Sequence, residues 1–281
     1  MIKRVAVLGA GTMGHGIAHA SLAAGFETVL YDVERSSLEN AKLGISTIIA
    51  KGVELGKTTP AEAEAMAHRL ALTTSTAEAV GSTDFIIEAA PERIDLKLKL
   101  MADVDRLAPP HAIVATNTSA LSITELAGAT GRAPRMGGMH FFNPVHKMKL
   151  VEIIRALETS DDTVATIEEV AKRMGKETVI VRESPGFITT RVNASIGNEA
   201  FYMLMEGVAS ARDIDKALKL GLNHPMGPFE LVDLVGLDTR LSILEYLHRT
   251  LGEKYRPCPL LVQYVKAGRL GKKVGRGVYE Y

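Results

Sequence analysis

Two ionisable residues, His140 and Glu152, stand in strongly apolar surroundings in the segment MHFFNPVHKMKLVEII, residues 139–154. An imidazole has an ordinary pKa near ~6.5, so it accepts and releases protons at neutral pH more readily than other side chains. Glu152 lies between aliphatic residues, where an unpaired carboxylate costs several kcal/mol to bury or takes up a proton. The segment therefore indicates proton-transfer chemistry and raises the question of what partner Glu152 has.

A glycine-rich turn follows the first apolar run of the chain, in the segment VAVLGAGTMGHGIAHA. Gly9, Gly11 and Gly14 have the G-x-G-x-x-G spacing, and Thr12 and Met13 precede the last glycine. Such a turn between a strand and a helix lets the backbone approach a pyrophosphate, with the helix N-terminus facing the negative charge. We expect these residues to bind a dinucleotide; the alternative is a glycine-rich turn in another kind of α/β protein.

An acidic residue, Asp32, ends the second apolar run, 18 residues after Gly14. A carboxylate at this distance can bind the 2′-hydroxyl of the adenine ribose. Asp32 favours NAD because it would repel a 2′-phosphate, although Arg35 keeps NADP from being excluded. The alternative is that Asp32 only caps a helix.

Four further polar residues have two readings each. Glu88, Glu92 and Lys97 in IIEAAPERIDLKLK follow an apolar run at the start of a helix. They either face a ligand at the edge of a sheet or form a solvated helix start, where the helix dipole favours acids. Ser119 in TNTSALSIT lacks the G-x-S-x-G surroundings of a nucleophile, so it either caps a helix or donates a hydrogen bond to a substrate.

The elements that must position these residues are predicted by alternating patterns. Up to residue 182, seven β-rich runs alternate with helical segments: VAVLG, TVLYD, DFIIEA, AIVATN, MGGMHFF, LVEII and TVIVR. The runs lack a polar alternation, as expected for strands covered by helices on both faces. After the Ser-Pro-Gly turn at 184–186 the spacing is helical. We therefore predict an α/β fold with a Rossmann-like, doubly wound, mostly parallel sheet over residues 1–184 and an all-helical domain over residues 185–281.

Composition argues against several classes of function. The 281 residues carry 33 Lys+Arg and 33 Asp+Glu, and tryptophan is absent, so neither net charge nor stacking aromatics indicate a nucleic-acid partner. No window approaches the 18 consecutive apolar residues of a membrane span. The single cysteine, Cys258, cannot form an internal disulfide, and no signal-peptide pattern opens the chain. We expect a cytoplasmic protein without membrane or metal.

Seven motifs, in order along nearly the whole chain, resemble the short-chain 3-hydroxyacyl-CoA dehydrogenases, most closely the bacterial 3-hydroxybutyryl-CoA dehydrogenases. They are GAGTMGHGIA, EAAPER, TNTSALSIT, GMHFFNPVHKMKLVEI, SPGF, HPMGPFELVDLVGLD and GKKVGRGVYEY. The resemblance implies reversible, NAD-dependent oxidation of an (S)-3-hydroxyacyl-CoA to the 3-ketoacyl-CoA, with 3-hydroxybutyryl-CoA as the expected substrate. It also implies a helical domain that forms a homodimer, and an acyl-CoA substrate in the cleft between the two domains.

The resemblance assigns roles to His140 and Glu152. His140 matches the catalytic base and Glu152 the acid that orients it, which answers the question of the partner of Glu152. The chemistry agrees, because hydride removal from a secondary alcohol leaves a proton on oxygen that a base must accept. A carboxylate behind the imidazole sets its tautomer and stabilises the imidazolium.

Other matches to the family are contacts to substrate or cofactor. Ser119, counted with the catalytic residues, and Asn143 match polar contacts near the reacting oxygen and the nicotinamide. Glu92, Lys97 and Lys273 match positions that contact or lie near the cofactor.

Three predicted substrate contacts are less specific. Lys51 and Lys57 could reach the phosphates of coenzyme A, or could form a solvated helix end. Thr190 departs from the family, which commonly has an asparagine at this position of the substrate cleft. Its hydroxyl offers fewer donors than an amide. Asn193 either supplies the missing amide from the next helical turn or simply packs at the interdomain surface.

Two rival functions remain at this stage. One is a related NAD-dependent dehydrogenase of a free hydroxy acid or sugar acid. The other is a dinucleotide-binding protein that has lost catalysis, against which the intact set of Ser119, His140, Asn143 and Glu152 argues.

Overall fold

The computed structural model describes residues 2–281. The chain forms two compact units, an α/β unit that ends at Glu183 and a helical unit that begins at Ser184.

The α/β unit is built on one sheet of eight strands. In chain order they are β1 (Arg4–Leu8), β2 (Glu27–Tyr31), β3 (Leu70–Thr73), β4 (Phe85–Glu88), β5 (Ile113–Thr116), β6 (Met136–Phe141), β7 (Leu150–Arg155) and β8 (Glu177–Arg182). Their order in the sheet is β3-β2-β1-β4-β5-β6-β7-β8. Every neighbouring pair is parallel except β6 and β7, which are antiparallel. The predicted mostly parallel, Rossmann-like sheet is confirmed; the strand β3 was not predicted.

Helices cover both faces of this sheet. Those of the α/β unit are α1 (Thr12–Ala23), α2 (Arg35–Glu54), α3 (Pro60–His68), α4 (Thr76–Val80), α5 (Ile94–Leu107), α6 (Ile123–Gly128) and α7 (Asp161–Arg173). Successive side chains of a strand point to opposite faces. Accordingly, Val5 and Val7 of β1 belong to one buried cluster, while Ala6 and Leu8 belong to the other. Two buried faces explain why the central strands β1, β4, β5 and β6 show no polar alternation.

The order of the strands determines where a ligand can bind. In a doubly wound sheet the crevice lies outside the carboxyl ends of the strands, where the strand order reverses. Here the reversal falls between β1 and β4. Gly9 follows β1 and Ala89 follows β4, so both residues lie at this edge.

The helical unit contains five α-helices. They are α8 (Thr189–Met205), α9 (Ala211–Gly221), α10 (Pro228–Val235), α11 (Leu237–Leu251) and α12 (Pro259–Lys266). They bury a common core that includes Phe201, Phe229, Leu244 and Leu261. The rings of Phe201 and Phe229 pack edge to face with their centroids 5.2 Å apart. Within residues 2–281, no helix is both long and apolar enough to cross a membrane.

Candidate active site

His140 and Glu152 meet across the antiparallel pair β6 and β7. The register of the two strands places His140 directly opposite Glu152. The imidazole Nδ1 lies 2.7 Å from Glu152 Oε2, and the two residues are 4% and 0% exposed. Because a buried carboxylate needs a partner, this short contact explains the acid inside the apolar run of β7.

The other ring nitrogen of His140 faces Ser119. Ser119 Oγ lies 3.1 Å from Nε2, within hydrogen-bond distance. An ionised carboxylate can only accept, so Nδ1 carries a proton towards Glu152. In the neutral imidazole Nε2 therefore has the free lone pair, which accepts the hydrogen bond from the Ser119 hydroxyl. Glu152, His140 and Ser119 therefore form a continuous series of hydrogen bonds, in which Nε2 is the nitrogen that can accept a proton.

Glu92 organises the loop that carries Ser119. Its Oε1 accepts hydrogen bonds from the backbone N–H of Ser119 at 2.9 Å and of Ala120 at 3.2 Å, and from the Thr118 hydroxyl. Three donors on one oxygen tie this loop to Glu92. The Glu92 side chain remains 42% exposed, so its predicted contact with the cofactor stays a prediction compatible with its position.

Glu88 and Lys97 form a buried ion pair next to Glu92. Lys97 Nζ donates to Glu88 Oε1 at 2.6 Å and lies 3.6 Å from Glu92 Oε2, although Lys97 is only 1% exposed. Glu88 also accepts a hydrogen bond of 2.5 Å from the Thr116 hydroxyl. The solvated helix start is therefore wrong for Glu88 and Lys97. The predicted cofactor contact of Lys97 stays a prediction, and its ammonium contacts carboxylates inside the protein.

The glycine-rich turn is shaped by two close approaches. Gly9 has φ +108°, and a Cβ at this residue would lie 2.5 Å from the carbonyl oxygen of Ala89. A Cβ at Gly14 would lie 1.7 Å from the carbonyl oxygen of Gly9. These two glycines let the turn, the helix and the segment after β4 pack together.

Gly11 has a different environment, which fits a dinucleotide. A Cβ at Gly11 would meet no protein atom within 4 Å, and its φ of −70° is open to any residue. The chain itself therefore gives no reason for a glycine here. Gly11 is the N-cap of α1, where no side chain caps the helix, so Thr12 and Met13 present their backbone N–H groups at an uncapped helix N-terminus. A pyrophosphate at this N-terminus would need the open approach that Gly11 leaves.

Asp32 is held against the same turn. Its Oδ2 accepts a hydrogen bond from the Ala10 N–H at 2.8 Å, and its Oδ1 accepts one from Glu34 N–H at 3.0 Å. A carboxylate has about four lone-pair sites, so two remain for a ribose hydroxyl. Arg35 is exposed, with Nε 3.8 Å from Glu39. The turn and Asp32 together fit NAD.

Three other predicted residues of the α/β unit lie outside this cluster. Asn143 is exposed in the segment after β6, one residue beyond Phe142, whose ring centroid lies 4.7 Å from that of His140. Lys51 and Lys57 are exposed at the end of α2, where Lys51 Nζ donates to Glu54 at 2.8 Å. Their predicted contacts with nicotinamide, substrate or coenzyme A stay predictions.

Two predicted site residues belong to the helical unit. Lys273 Nζ donates to both carboxylate oxygens of Asp238, at 2.6 and 2.7 Å. Thr190 lies in the first turn of α8 and is half-buried, with Asn193 three residues further along the same helix. The roles of Lys273 and Thr190 towards cofactor and substrate stay predictions.

Sequence reasoning missed two residues that hold the site together. Asn117 Oδ1 accepts a hydrogen bond of 2.8 Å from the Phe141 N–H, which ties the end of β5 to the strand of His140. Glu183 accepts hydrogen bonds from four donors at the start of α6: the Ser122 hydroxyl, the Ile123 N–H, and the N–H and hydroxyl of Thr124. Asn117 had a recognisable signal, because polar residues that directly follow a buried strand collect at the ligand-binding edge.

Within residues 2–281, no group of three or more His, Cys, Asp or Glu side chains could hold a metal ion.

Comparison with known proteins identifies relatives over the full length. The model of the 3-hydroxyacyl-CoA dehydrogenase NAD binding domain matches residues 4–184, and that of the C-terminal domain matches residues 186–281. The chain is 48% identical to the probable 3-hydroxybutyryl-CoA dehydrogenase of Bacillus subtilis, a match that covers 100% of this chain and 98% of that protein. It is 44% identical to the 3-hydroxybutyryl-CoA dehydrogenase of Bradyrhizobium diazoefficiens, with coverage of 100% and 96%. The crystal structure of (S)-3-hydroxybutyryl-CoA dehydrogenase from Ralstonia eutropha matches with a TM-score of 0.96 at 43% identity, covering 100% of this chain and 99% of that one.

Proposed function

Because the chain belongs to the 3-hydroxyacyl-CoA dehydrogenase family, with NAD as its cofactor, we propose that it interconverts (S)-3-hydroxybutyryl-CoA and acetoacetyl-CoA. The short acyl chain is inferred from relatives that share at least 43% of their residues with this protein over its whole length. The observation that carries the chemistry is the chain of contacts from Glu152 through His140 to Ser119, of 2.7 and 3.1 Å.

His140 acts as the general base in the oxidation. Its Nε2 takes the proton of the substrate 3-hydroxyl, while the Nδ1 proton stays shared with Glu152. The imidazolium that forms lies against an anionic carboxylate in a buried site, where their attraction is stronger than in water. In the reverse direction the same Nε2 returns the proton to the forming alkoxide.

Ser119 places the reacting oxygen. Its hydroxyl contacts Nε2 in the structure, and it can rotate to donate to a substrate oxygen when the substrate hydroxyl takes its place at Nε2. Glu92 holds the Ser119 backbone, so the hydroxyl is presented from a fixed loop. A positioned donor of this kind stabilises negative charge as it develops on the oxygen.

NAD, when bound, supplies the hydride acceptor for the oxidation and the hydride donor for the reduction. The first turn of α1, with Gly11, Thr12 and Met13, would hold its pyrophosphate, and Asp32 would bind its adenine ribose. Asn143 lies one residue beyond Phe142, which packs against His140, and from there it would contact the nicotinamide or the substrate.

We also propose a homodimer formed by the helical unit, and a cytoplasmic location. Several large apolar side chains of this unit are exposed in the single chain, among them Val192, Leu220 and Leu222. Exposed apolar surface of this extent usually marks a contact with another protein. The single cysteine fits a reducing compartment.

The test is an assay of NADH oxidation with acetoacetyl-CoA, compared with free acetoacetate and with a sugar acid plus NAD. We expect rapid turnover of acetoacetyl-CoA alone. Turnover of a free acid in preference to the thioester would contradict the proposal and favour the hydroxy-acid dehydrogenase. NADH binding by direct titration without turnover of any of them would favour a protein that has lost catalysis.

A further inference from the structure

The segment 142–149, here called the β6–β7 loop, connects the strand of His140 to the strand of Glu152. It turns tightly, because the N–H groups of Lys147 and Met148 both donate to the carbonyl oxygen of Pro144, at 2.9 and 3.0 Å. The loop also contains Asn143, the proposed contact for nicotinamide or substrate. Its conformation therefore decides where Asn143 lies.

Helix α1 supports one side of this loop. Val145 is buried and packs against Gly16, where a Cβ would lie 3.0 Å from the Val145 Cβ. The loop thus contacts the helix that begins at the dinucleotide turn. A displacement of the loop would change its position relative to both the proposed cofactor site and the catalytic strands.

Lys176 holds the loop from another part of the chain. Its Nζ donates to the carbonyl oxygens of Val145 and Met148, at 2.5 and 2.9 Å. Lys176 is only 9% exposed, and the contacts described for its ammonium are with carbonyl oxygens rather than with a carboxylate. A methionine would fill similar space without desolvating a charge, so packing alone does not account for a lysine here.

The end of α7 fixes the position from which Lys176 reaches. The Gly175 N–H donates to Lys172 O at 2.9 Å, and the Lys176 N–H donates to Ala171 O at 3.1 Å. This is the Schellman pattern, in which the residue at the Lys176 position usually carries an apolar side chain that packs on the helix. Here that position carries an ammonium group that extends to the loop.

The neighbouring titratable groups, His15, His19 and His146, are basic and provide no anionic partner. Burial, followed by the charges of His146 and Lys176, lowers the pKa of His19 to about 4. Burial also lowers the pKa of the Lys176 ammonium. The two loop carbonyls are therefore the contacts that stabilise its charged form.

We propose that Lys176 is a positioning residue of this enzyme: by holding the carbonyls of Val145 and Met148, it fixes the β6–β7 loop between α1 and the strands of His140 and Glu152, and so presents Asn143. The role rests on the proposed function, since it is defined by that reaction. None of the motifs that carry the family resemblance contains Lys176.

The test compares Lys176→Met, which keeps the side-chain length but removes the donors, with Lys172→Met as a matched control. Lys172 lies on the same helix end but is exposed, and it pairs only with Glu168. We expect Lys176→Met to lower kcat with acetoacetyl-CoA by about 10- to 100-fold, the effect of a misplaced contact group, with NADH affinity nearly unchanged. Hydrogen exchange of the Lys147 and Met148 amides should become faster in Lys176→Met and stay unchanged in Lys172→Met.

A double-mutant cycle separates positioning from general stability. If Lys176 acts through the loop, Lys176→Met should cost much less in an Asn143→Ala background than in the wild type. The proposal would be overturned if the fold-losses in kcat of the two single variants multiply fully in the double variant. It would also be overturned if Lys176→Met lowers the Tm and leaves kcat unchanged. If Lys176→Met does not fold, the test uses Lys176→Gln, whose side-chain amide is a shorter, uncharged donor. A kcat below that of the wild type supports the role, and a wild-type kcat overturns it. Unchanged amide exchange rejects the role of Lys176 alone, whereas a wild-type enzyme inactive on acetoacetyl-CoA rejects the proposed function.

Discussion

The carboxylate of Glu152 lies behind the imidazole of His140, on the side away from Ser119. From this position it influences a proton on Nε2 by setting the tautomer and by stabilising the imidazolium. In the proposed mechanism His140 exchanges the proton, and Glu152 orients and stabilises the imidazole. The two should therefore not contribute independently to turnover.

We expect His140→Ala to lower kcat by about 10²–10⁴-fold, the usual contribution of a general acid or base. Glu152→Gln should also lower kcat, because a neutral amide no longer stabilises the imidazolium. The double variant should be no slower than His140→Ala, since Glu152 acts through the imidazole. Steady-state kinetics with acetoacetyl-CoA measure all three, with Glu158→Gln, an exposed acid, as control. A double variant far slower than His140→Ala would show that Glu152 acts by another route.

His19 should make the stability of the protein depend on pH. Its pKa is lowered from 6.5 to about 4, first by burial and then by His146 and Lys176, so the folded protein binds a proton less readily than the unfolded chain. Its buried Nδ1 also has no hydrogen-bond partner. The unfolded chain therefore takes up the proton first as the pH falls below 6.5, and stability is lost progressively down to about pH 4, by about 2 kcal/mol at pH ~5.

Denaturant unfolding at neutral pH and at about pH 5 measures this loss. His19→Gln removes the titrating group and should reduce the difference in the free energy of unfolding between the two pH values. His68→Gln, which changes an exposed histidine, should leave the difference unchanged. The explanation fails if His19→Gln has the same pH dependence as the wild type.

The turn between β1 and α1 contains glycines in two different environments. Gly9 and Gly14 are required by the protein's own packing, whereas Gly11 faces open space. Their substitution should therefore affect different properties. This difference distinguishes a glycine that serves the fold from one that serves a ligand.

Gly11→Ala should leave the Tm nearly unchanged, because its φ of −70° suits alanine and its Cβ would meet no atom within 4 Å. It should weaken NADH binding, since the methyl group projects where the pyrophosphate approaches. Gly14→Ala should instead lower stability by about 1–3 kcal/mol, the usual cost of overpacking. NADH titrations and thermal melts of the two variants check both expectations. Wild-type NADH affinity in Gly11→Ala would argue against a dinucleotide at this turn.

At the scale of the whole molecule, the helical unit exposes several large apolar side chains that its own core does not bury. Ile188 and Val192, four residues apart at the start of α8, are both exposed, as is Met205 at the end of that helix. Residues spaced by four lie on the same face of a helix. In the proposed homodimer, a second copy of the chain covers this face.

Light scattering should therefore give about twice the chain mass of 30.2 kDa. Val192→Glu should shift the mass towards that of a single chain without unfolding it, because it places a charge in the contact. Leu157→Glu, which changes an exposed apolar residue of the α/β unit, serves as the control and should remain dimeric. A wild-type mass of 30.2 kDa would contradict the homodimer.

The sequence alone determined the features that depend on local pattern. The apolar runs of β1, β4 and β5 predicted buried strands, and the spacing of Gly9, Gly11 and Gly14 predicted the turn that follows β1. The helical unit was predicted in the same way, from apolar spacing interrupted by glycine and proline. The strand β3 escaped prediction because it is a short edge strand, only partly buried, that directly follows a helix. Its pattern is too weak to distinguish from the end of that helix.

Only the tertiary structure decided which distant side chains meet. The antiparallel register of β6 and β7 brings Glu152 to His140, because a shift of one residue would turn either side chain to the opposite face. For Glu88 and Lys97 the sequence left open a ligand-facing sheet edge and a solvated helix start, and their burial follows from how α5 packs on the sheet. No sequence motif singles out Lys176, and its proposed role depends on two carbonyls about 30 residues away in the chain. Spacing along a sequence specifies which face of an element a residue occupies, whereas contacts between elements depend on the order and direction in which the strands assemble.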